Sequence, residues 1–126
     1  MPLIQIDLDR RLFEEKGQAI SAAIHQAQVE MTDMNIPATD KFQVFRPHDA
    51  GELIADPAHG GVDRRDILVI QITAVHRFPV RTKQALFENI ITHLSRLGIR
   101  SDDIFVALIE NGFEDWKPGI ASAPAD

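Results

Sequence analysis

The stretch that decides the fold is Pro2-Leu3-Ile4-Gln5-Ile6-Asp7-Leu8, at the beginning of the chain. After Pro2, apolar and polar residues alternate, as in a β-strand that buries one face. A strand that starts here places Pro2 at the end of a sheet. Methionine is normally removed when a small residue such as proline follows it, and the mature chain would then begin with a secondary amine held on a rigid ring.

Such an amine is chemically useful because its surroundings can set its protonation state. A free α-amine has a pKa of roughly 7.7–8.0, and burial or a nearby charge shifts that value. The amine can take up a proton, donate one or attack a carbonyl group. The alternative is that proline is simply a common second residue. If Met1 is retained, the nitrogen of Pro2 is an amide without basicity.

Length and composition limit the class of protein. A chain of 126 residues predicts one domain, residues 1–126, that is large enough to bury a core. The sequence has no apolar run of membrane-spanning length and no recognisable signal peptide, and it has no cysteine. We therefore expect a cytoplasmic protein without a membrane partner. The net charge of −6 argues against a nucleic-acid surface.

Apolar periodicity predicts four strands and two helices. Spacings of three and four over residues 20–31 and 86–97 predict the helices. Residues 67–73 form a β-branched run that predicts a central strand buried on both faces. The other strands are predicted at the start of the chain and at residues 41–45 and 104–109. Residues 46–66 predict a loop with a brief hairpin or edge segment at 53–55, and the tail from 110 to 126 predicts no regular structure.

The two halves of the chain resemble each other at an offset of about 63 residues. Ile24 falls on Phe87, and Asp40 falls on Asp103. Each half, about 1–63 and 64–126, predicts strand, helix, strand. Two such β-α-β units can share a four-stranded mixed sheet with both helices on one face, an α+β fold with two layers. The uncovered sheet face implies a small symmetric oligomer.

Several short motifs, in this order, carry a family resemblance. They are Pro2, the segment Ile36-Pro37-Ala38-Thr39-Asp40-Lys41-Phe42-Gln43, the pair Gly51-Glu52, and Val106-Ala107-Leu108-Ile109-Glu110-Asn111 followed by Asp115-Trp116. This double β-α-β chain resembles the tautomerase superfamily and is most similar to its malonate semialdehyde decarboxylase group. The resemblance implies a homotrimer, a pocket around the N-terminal proline and no cofactor.

The resemblance also implies roles for individual residues. Pro2, in its protonated form, would polarise a substrate carbonyl, Arg77 would hold the carboxylate, and an aspartate in the position of Asp40 would take part. Trp116 would form a wall of the pocket. The decarboxylase group has two arginines after the third strand, whereas here only Arg77 is plausibly in place and Arg81 lies four residues further on. This departure bears on the substrate more than on the class of chemistry.

The residue types themselves fit these roles, and each has a simpler alternative. Arg77 follows a buried strand, where ligand groups often converge, and a guanidinium binds a carboxylate through two parallel hydrogen bonds. His76 beside it could donate to the same carboxylate, or be an ordinary loop histidine. Asp40 could be a turn residue, as its repeat counterpart suggests. Trp116, with Phe113 near it, could dock over the pocket mouth or elsewhere on the core.

These residues lead to a functional hypothesis with alternatives. It is a cofactor-free lyase that acts on a small carboxylate, by decarboxylation of a 3-oxo acid such as malonate semialdehyde. The runner-up is an isomerase, a keto-enol tautomerase in which neutral Pro2 acts as a base. A hydratase or dehalogenase of a three-carbon unsaturated acid is third, and a trimeric binding protein with a relic pocket is the non-enzymatic alternative. The histidines do not have the spacing of a zinc site, so we expect no metal.

Overall fold

The computed structural model describes residues 2–119 and has four strands and two helices. In chain order they are β1 (Leu3–Asp9), α1 (Arg10–Val29), β2 (Phe42–His48), β3 (Leu68–Val75), α2 (Val80–Ser95) and β4 (Ile104–Asn111). Three short 3-10 turns lie at Thr32–Met34, Ser101–Asp103 and Phe113–Asp115. Met1 and residues 120–126, the end of the expected irregular tail, lie outside the described residues.

The strands form one mixed sheet in the order β2-β1-β3-β4. The pairs β1–β2 and β3–β4 are parallel, because each is joined by a crossover helix, and the central pair β1–β3 is antiparallel. The predicted α+β fold, two β-α-β units that share a four-stranded mixed sheet beneath two helices, is thereby confirmed. Because β1 is central, the start of the chain lies between β2 and β3.

The core lies between the helices and one face of the sheet. Every second residue of β1 and β3 is buried, beginning with Ile4 and Leu68, which is the pattern of a strand with one covered face. The helices contribute apolar residues at spacings of three and four, including Ile20, Ile24 and Ile90. The predicted helix faces are confirmed.

Several local predictions were wrong. β3 is central but is buried on one face only, since Val69 and Thr73 on the other face remain partly exposed. Residues 53–55 form no strand, and Ile54 is 86% exposed. The tail is not irregular from 110 onward, because β4 continues to Asn111 and a 3-10 turn follows. The first helix starts earlier than the predicted span of 20–31, because α1 follows β1 directly and Asp9 caps it by accepting a hydrogen bond from the backbone N–H of Arg11 at 2.9 Å.

The sheet face away from the helices carries a concentration of exposed apolar side chains. They are Phe42, Val44, Phe105 and Ile109, each between 44% and 50% exposed. The same face holds Asp7, whose carboxylate accepts hydrogen bonds from Arg46 at 2.9 Å and His48 at 2.7 Å. Burial opposes the ionisation of Asp7, but these two partners outweigh it and hold the pKa of Asp7 below its ordinary value.

Candidate active site

Pro2 lies at the meeting point of three strands. It is buried and directly precedes β1, whose first residue, Leu3, pairs with Phe42 on one side and Thr73 on the other. Alternation along β1 puts Pro2 on the same face as Ile4, which is the face covered by the helices. The end of β3 therefore lies beside the start of the chain, because β1 and β3 are antiparallel.

A cavity of about 30 Å³ opens at this point. Its lining consists of Pro2, Met34, Ile36, Ala74, Val75, Arg77, Phe78 and Phe113. Three of the predicted site residues, Pro2, Arg77 and Phe113, thus meet in one place. The walls are mainly apolar and Arg77 is the cationic member of the lining, an arrangement that suits a small anion with an apolar body.

Arg77 is carried by the loop between β3 and α2. Its guanidinium lies 5.1 Å from the centre of the Phe78 ring, a distance at which a cation is attracted to the face of an aromatic ring. Pro79 then caps the start of α2 with an extended backbone. The stacking on Phe78 restricts the exposed side chain of Arg77 before any ligand binds.

The sequence analysis did not predict five of the lining residues, and two of these, Met34 and Ile36, depend on one unusual backbone conformation. Met34 and Ile36 flank Asn35, which has a φ of +52°. Asparagine tolerates this left-handed conformation better than most residues do, and the turn lets both neighbours face inward. Their exposures are only 2% and 8%. An asparagine between two large apolar residues was the signal available in the sequence.

Asp40 and Trp116 are not part of the cavity lining. Asp40 is partly buried, and its backbone N–H donates to the carbonyl of Pro37 at 2.9 Å. It stands two residues before Phe42, the partner of Leu3, and therefore at the same end of the sheet as Pro2. Trp116 is partly buried, and its indole N–H donates to the side chain of Asn111 at 2.7 Å.

His76 also lies outside the cavity lining, and its side chain is 75% exposed. Its imidazole Nδ1 contacts the carboxylate of Glu110, and its backbone N–H donates to the carbonyl of Asn111 at 2.8 Å. Lys83 contacts the other carboxylate oxygen of Glu110. Glu110 and Lys83 were not predicted as site residues, although Glu110 belongs to a motif that carries the family resemblance.

Three further features of residues 2–119 concern metal binding, membrane-spanning helices and a second, larger groove. Within that range, no three histidine or acidic side chains are grouped so that they could hold a metal ion. None of the helices found there has the length and apolar character needed to cross a bilayer. A groove of about 780 Å³, far larger than the cavity at Pro2, lies between α1 and the edge strand β2. We place the site at Pro2 because the groove contains none of the predicted residues.

The order of the elements and the mixed sheet are those of a known family of enzymes. A family model described as tautomerase enzyme (Tautomerase_2) matches residues 40–119. The probable tautomerase YusQ of Bacillus subtilis (strain 168) is 36% identical over 121 residues, which cover 94% of each chain. The chain therefore belongs to the tautomerase superfamily, whose members are enzymes.

Two solved structures place the chain near one group of that superfamily. FG41 malonate semialdehyde decarboxylase, inhibited by 3-bromopropiolate, is 36% identical with a TM-score of 0.86, over 95% of this chain and 91% of that one. A second malonate semialdehyde decarboxylase is 26% identical with a TM-score of 0.85, over 95% and 92%. A further relative, the probable tautomerase YrdN of the same Bacillus strain, is 28% identical over 98% of this chain and 95% of its own. The predicted similarity to the decarboxylase group is confirmed.

Proposed function

We propose that this chain is a cofactor-free enzyme that uses the amine of Pro2 on small oxo acids, and that it decarboxylates a 3-oxo acid such as malonate semialdehyde. The observation that carries the proposal is the single cavity shared by Pro2 and Arg77. The 36% identity to FG41 malonate semialdehyde decarboxylase supports the choice of reaction. The proposal requires removal of Met1, which exposes the ring nitrogen.

In the proposed mechanism the two positive groups of the cavity, the Arg77 guanidinium and the Pro2 ammonium, bind opposite ends of the substrate. Arg77 holds the carboxylate through two parallel hydrogen bonds. The Pro2 ammonium donates a hydrogen bond to the carbonyl oxygen. As the bond between the carboxylate and the neighbouring carbon breaks, carbon dioxide leaves and the electron pair moves to that oxygen. The ammonium stabilises the resulting enolate, which then takes a proton on carbon.

The surroundings would strengthen both contacts. Phe78 and Phe113 line the cavity, and Phe113 is 71% exposed in the single chain. If a bound substrate or a neighbouring chain covers them, the lower local dielectric would make the hydrogen bonds to Arg77 and Pro2 stronger. Asp40 would orient water or substrate and help to set the protonation of the amine, and Trp116 would cover the mouth of the pocket. A second route is an iminium ion, formed when the nitrogen of Pro2 adds to the aldehyde carbon and water leaves; the iminium then accepts the electron pair released with carbon dioxide and becomes an enamine.

The proposal includes a homotrimer whose open sheet faces pack around a central axis. The exposed apolar side chains of that face, Phe42, Val44, Phe105 and Ile109, would be covered in such an assembly. The cavity of one chain holds about 30 Å³, roughly the volume of one water molecule. A three-carbon acid is larger, so Phe113 would have to move or a neighbouring chain would have to enlarge the site. Light scattering that reports a lone chain would remove this part of the proposal.

The test compares two forms of the protein. One is produced with Pro2 as the first residue, checked by intact mass. The other keeps an uncleaved N-terminal extension, so that Pro2 is an amide. Both are incubated with a series of oxo acids and followed by NMR. We expect decarboxylation by the first form only. Equal turnover by the two forms would remove the amine from the mechanism.

Chemical labelling gives a second measurement on the same pair. We expect 3-bromopropiolate, which inhibits the FG41 enzyme, to add mass to the peptide that begins with Pro2. Borohydride reduction in the presence of the aldehyde acid would trap an imine on that peptide if the covalent route operates. Labelling of the extended form at the same position would contradict the assignment.

The second candidate is a keto-enol tautomerase, because two relatives are named probable tautomerases. In that reaction Pro2 is neutral and acts as a base, so activity falls at low pH as the amine becomes protonated. In the decarboxylase the amine acts in its protonated form, so activity falls at high pH. The direction of the pH profile therefore separates the two candidates.

A further inference from the structure

Three elements meet at the carboxylate of Glu110. Glu110 lies near the end of β4, Lys83 lies in the first turns of α2, and His76 lies in the loop between β3 and α2. Lys83 contacts one oxygen of the carboxylate and His76 contacts the other. The side chains of Glu110 and Lys83 are only 23% and 19% exposed. Partial burial of a charged pair favours a fixed geometry, since either charge alone would be costly there.

The sheet register places this cluster against the wall of the cavity. Ala74 pairs with Glu110, and both side chains lie on the face covered by the helices. Ala74 is itself part of the cavity lining. The next residues along the chain are Val75, which also lines the cavity, then His76 and Arg77. Glu110 is thus one strand away from the cavity and contacts the residue that directly precedes Arg77.

His76 is held at two points by β4. Its imidazole contacts Glu110, and its backbone N–H donates to the carbonyl of Asn111 at 2.8 Å. Without the first contact, the loop would keep one backbone hydrogen bond next to Arg77 and could rotate about it. Because a guanidinium binds a carboxylate in a defined plane, small rotations of this loop would weaken binding.

We propose that Glu110, paired with Lys83, is a positioning residue that holds His76 and so fixes Arg77 for carboxylate binding. This inference rests on the proposed function in that Arg77 binds the substrate carboxylate. In this inference His76 contacts Glu110 and does not contact the substrate. Among residues 2–119, Lys83 from α2 and His76 from the loop contact the carboxylate of Glu110, one at each oxygen.

The experiment measures the binding of malonate, an unreactive dicarboxylate, by calorimetry, together with turnover of the oxo acid. Glu110→Gln keeps the shape of the side chain and removes its charge. We expect about tenfold weaker malonate binding and an equal rise in KM, with kcat changed less than about twofold, as for neighbours coupled in one network. The matched control is Glu88→Gln, an exposed carboxylate on α2, which should bind malonate like the unaltered protein.

A double variant tests whether Glu110 acts through His76. If it does, His76→Ala and the double change His76→Ala with Glu110→Gln weaken malonate binding equally. If Glu110 acts on the site by another route, the two losses add, and the proposal is overturned. His76→Ala also keeps the test valid if Glu110→Gln does not fold, because its side chain is largely exposed.

The two measurements separate this inference from the proposed function. Malonate binding that depends on Glu110, without turnover of any oxo acid, would support the positioning role and contradict the decarboxylase. Normal decarboxylation by the unaltered protein, with malonate binding unchanged in Glu110→Gln, would support the decarboxylase and contradict the positioning role. Failure of the unaltered protein to bind malonate would overturn the positioning role, because there would be no carboxylate site to order.

Discussion

The two β–α junctions of this chain have the same topology but differ in length. At the first, β1 passes directly into α1, with Asp9 as the helix cap. At the second, residues 76–79 separate β3 from α2. Because β1 and β3 are antiparallel, the two junctions lie at opposite ends of the sheet. The longer junction lies beside Pro2 and carries Arg77, so the extra residues supply the guanidinium of the candidate site.

The opposite end of the sheet has the reverse charge character. A cavity of about 150 Å³ there is lined by three carboxylates, those of Asp9, Asp49 and Asp66, together with His48 and Arg65. Burial, reinforced by the nearby charge of Asp9, raises the pKa of Asp66. Three carboxylates that line one cavity disfavour an additional negative charge there. A small carboxylate is therefore expected to bind at the Pro2 end.

The largest expected effect tests this difference at Arg77. Arg77→Ala removes the guanidinium from the Pro2 cavity and should reduce kcat/KM by on the order of a hundredfold, since two charge-assisted hydrogen bonds are lost. Steady-state kinetics with the oxo acid measures the change. Arg81→Ala, an exposed arginine on α2, is the control and should lose little. Equal losses would mean that the second arginine takes part in carboxylate binding after all.

The next prediction compares the aspartates that precede the second strand of each β-α-β unit. Asp103 is 4% exposed, and it accepts a hydrogen bond from the backbone N–H of Arg65 at 2.7 Å. Asp103→Ala leaves that donor unsatisfied and should lower the free energy of unfolding by about 1–3 kcal/mol, measured in urea. Asp40→Ala should chiefly reduce kcat. If Asp103→Ala lost turnover but kept full stability, the contrast between a structural Asp103 and a catalytic Asp40 would be wrong.

The fold could be predicted because its main elements depend on periodicity. Alternation in residues 4–8 and the helical spacings from Ile20 onward determine which face of each element is buried. The same patterns could not show that residues 53–55 form no strand, since a short apolar patch is also compatible with an exposed turn. They predicted a β3 buried on both faces, because β-branched residues occupy both, whereas within a single chain the helices cover only one face.

The site was only partly predictable, for a related reason. Pro2 and Arg77 were predicted from their chemistry and the family resemblance, and the structure brings both into one cavity. Met34 and Ile36 resemble ordinary core residues, and only the positive φ of Asn35 brings them to the cavity. The contact of Glu110 with Lys83 joins residues far apart in the chain. Contacts of that kind depend on sheet register and helix packing, which a single sequence does not specify.

A smaller effect concerns Glu30, a carboxylate whose surroundings differ from those of Asp66. Hydrogen bonds from His93, Asn89 and Gln26 lower the pKa of Glu30 to about 2. In the unfolded chain a glutamate has a pKa of about 4.3. The stabilisation from these contacts is therefore complete above that value and is lost as the pH falls toward about 2.

The variant that tests this is Glu30→Gln. We expect its stability, from urea unfolding at a series of pH values, to fall less between about pH 4.5 and 2 than that of the unaltered protein. Glu14→Gln, an exposed residue on the same helix, serves as the control. Identical pH dependence in all three proteins would show that the contact between Glu30 and His93 does not hold in solution.

The smallest expected effect has the opposite sign and tests the acidic end. Because the pKa of Asp66 is raised, the folded state binds its proton more tightly than the unfolded chain, in which an aspartate titrates near about 3.9. Ionisation then costs the folded state stability as the pH rises through that raised pKa. Asp66→Asn cannot ionise, so its melting temperature should be slightly above that of the unaltered protein at pH 7 and equal to it below about pH 3. If Asp66→Asn were less stable at pH 7, the negative charge of Asp66 would be stabilising, as in an ion pair with Arg11. The two ends of the sheet would then not differ in their tolerance of anions.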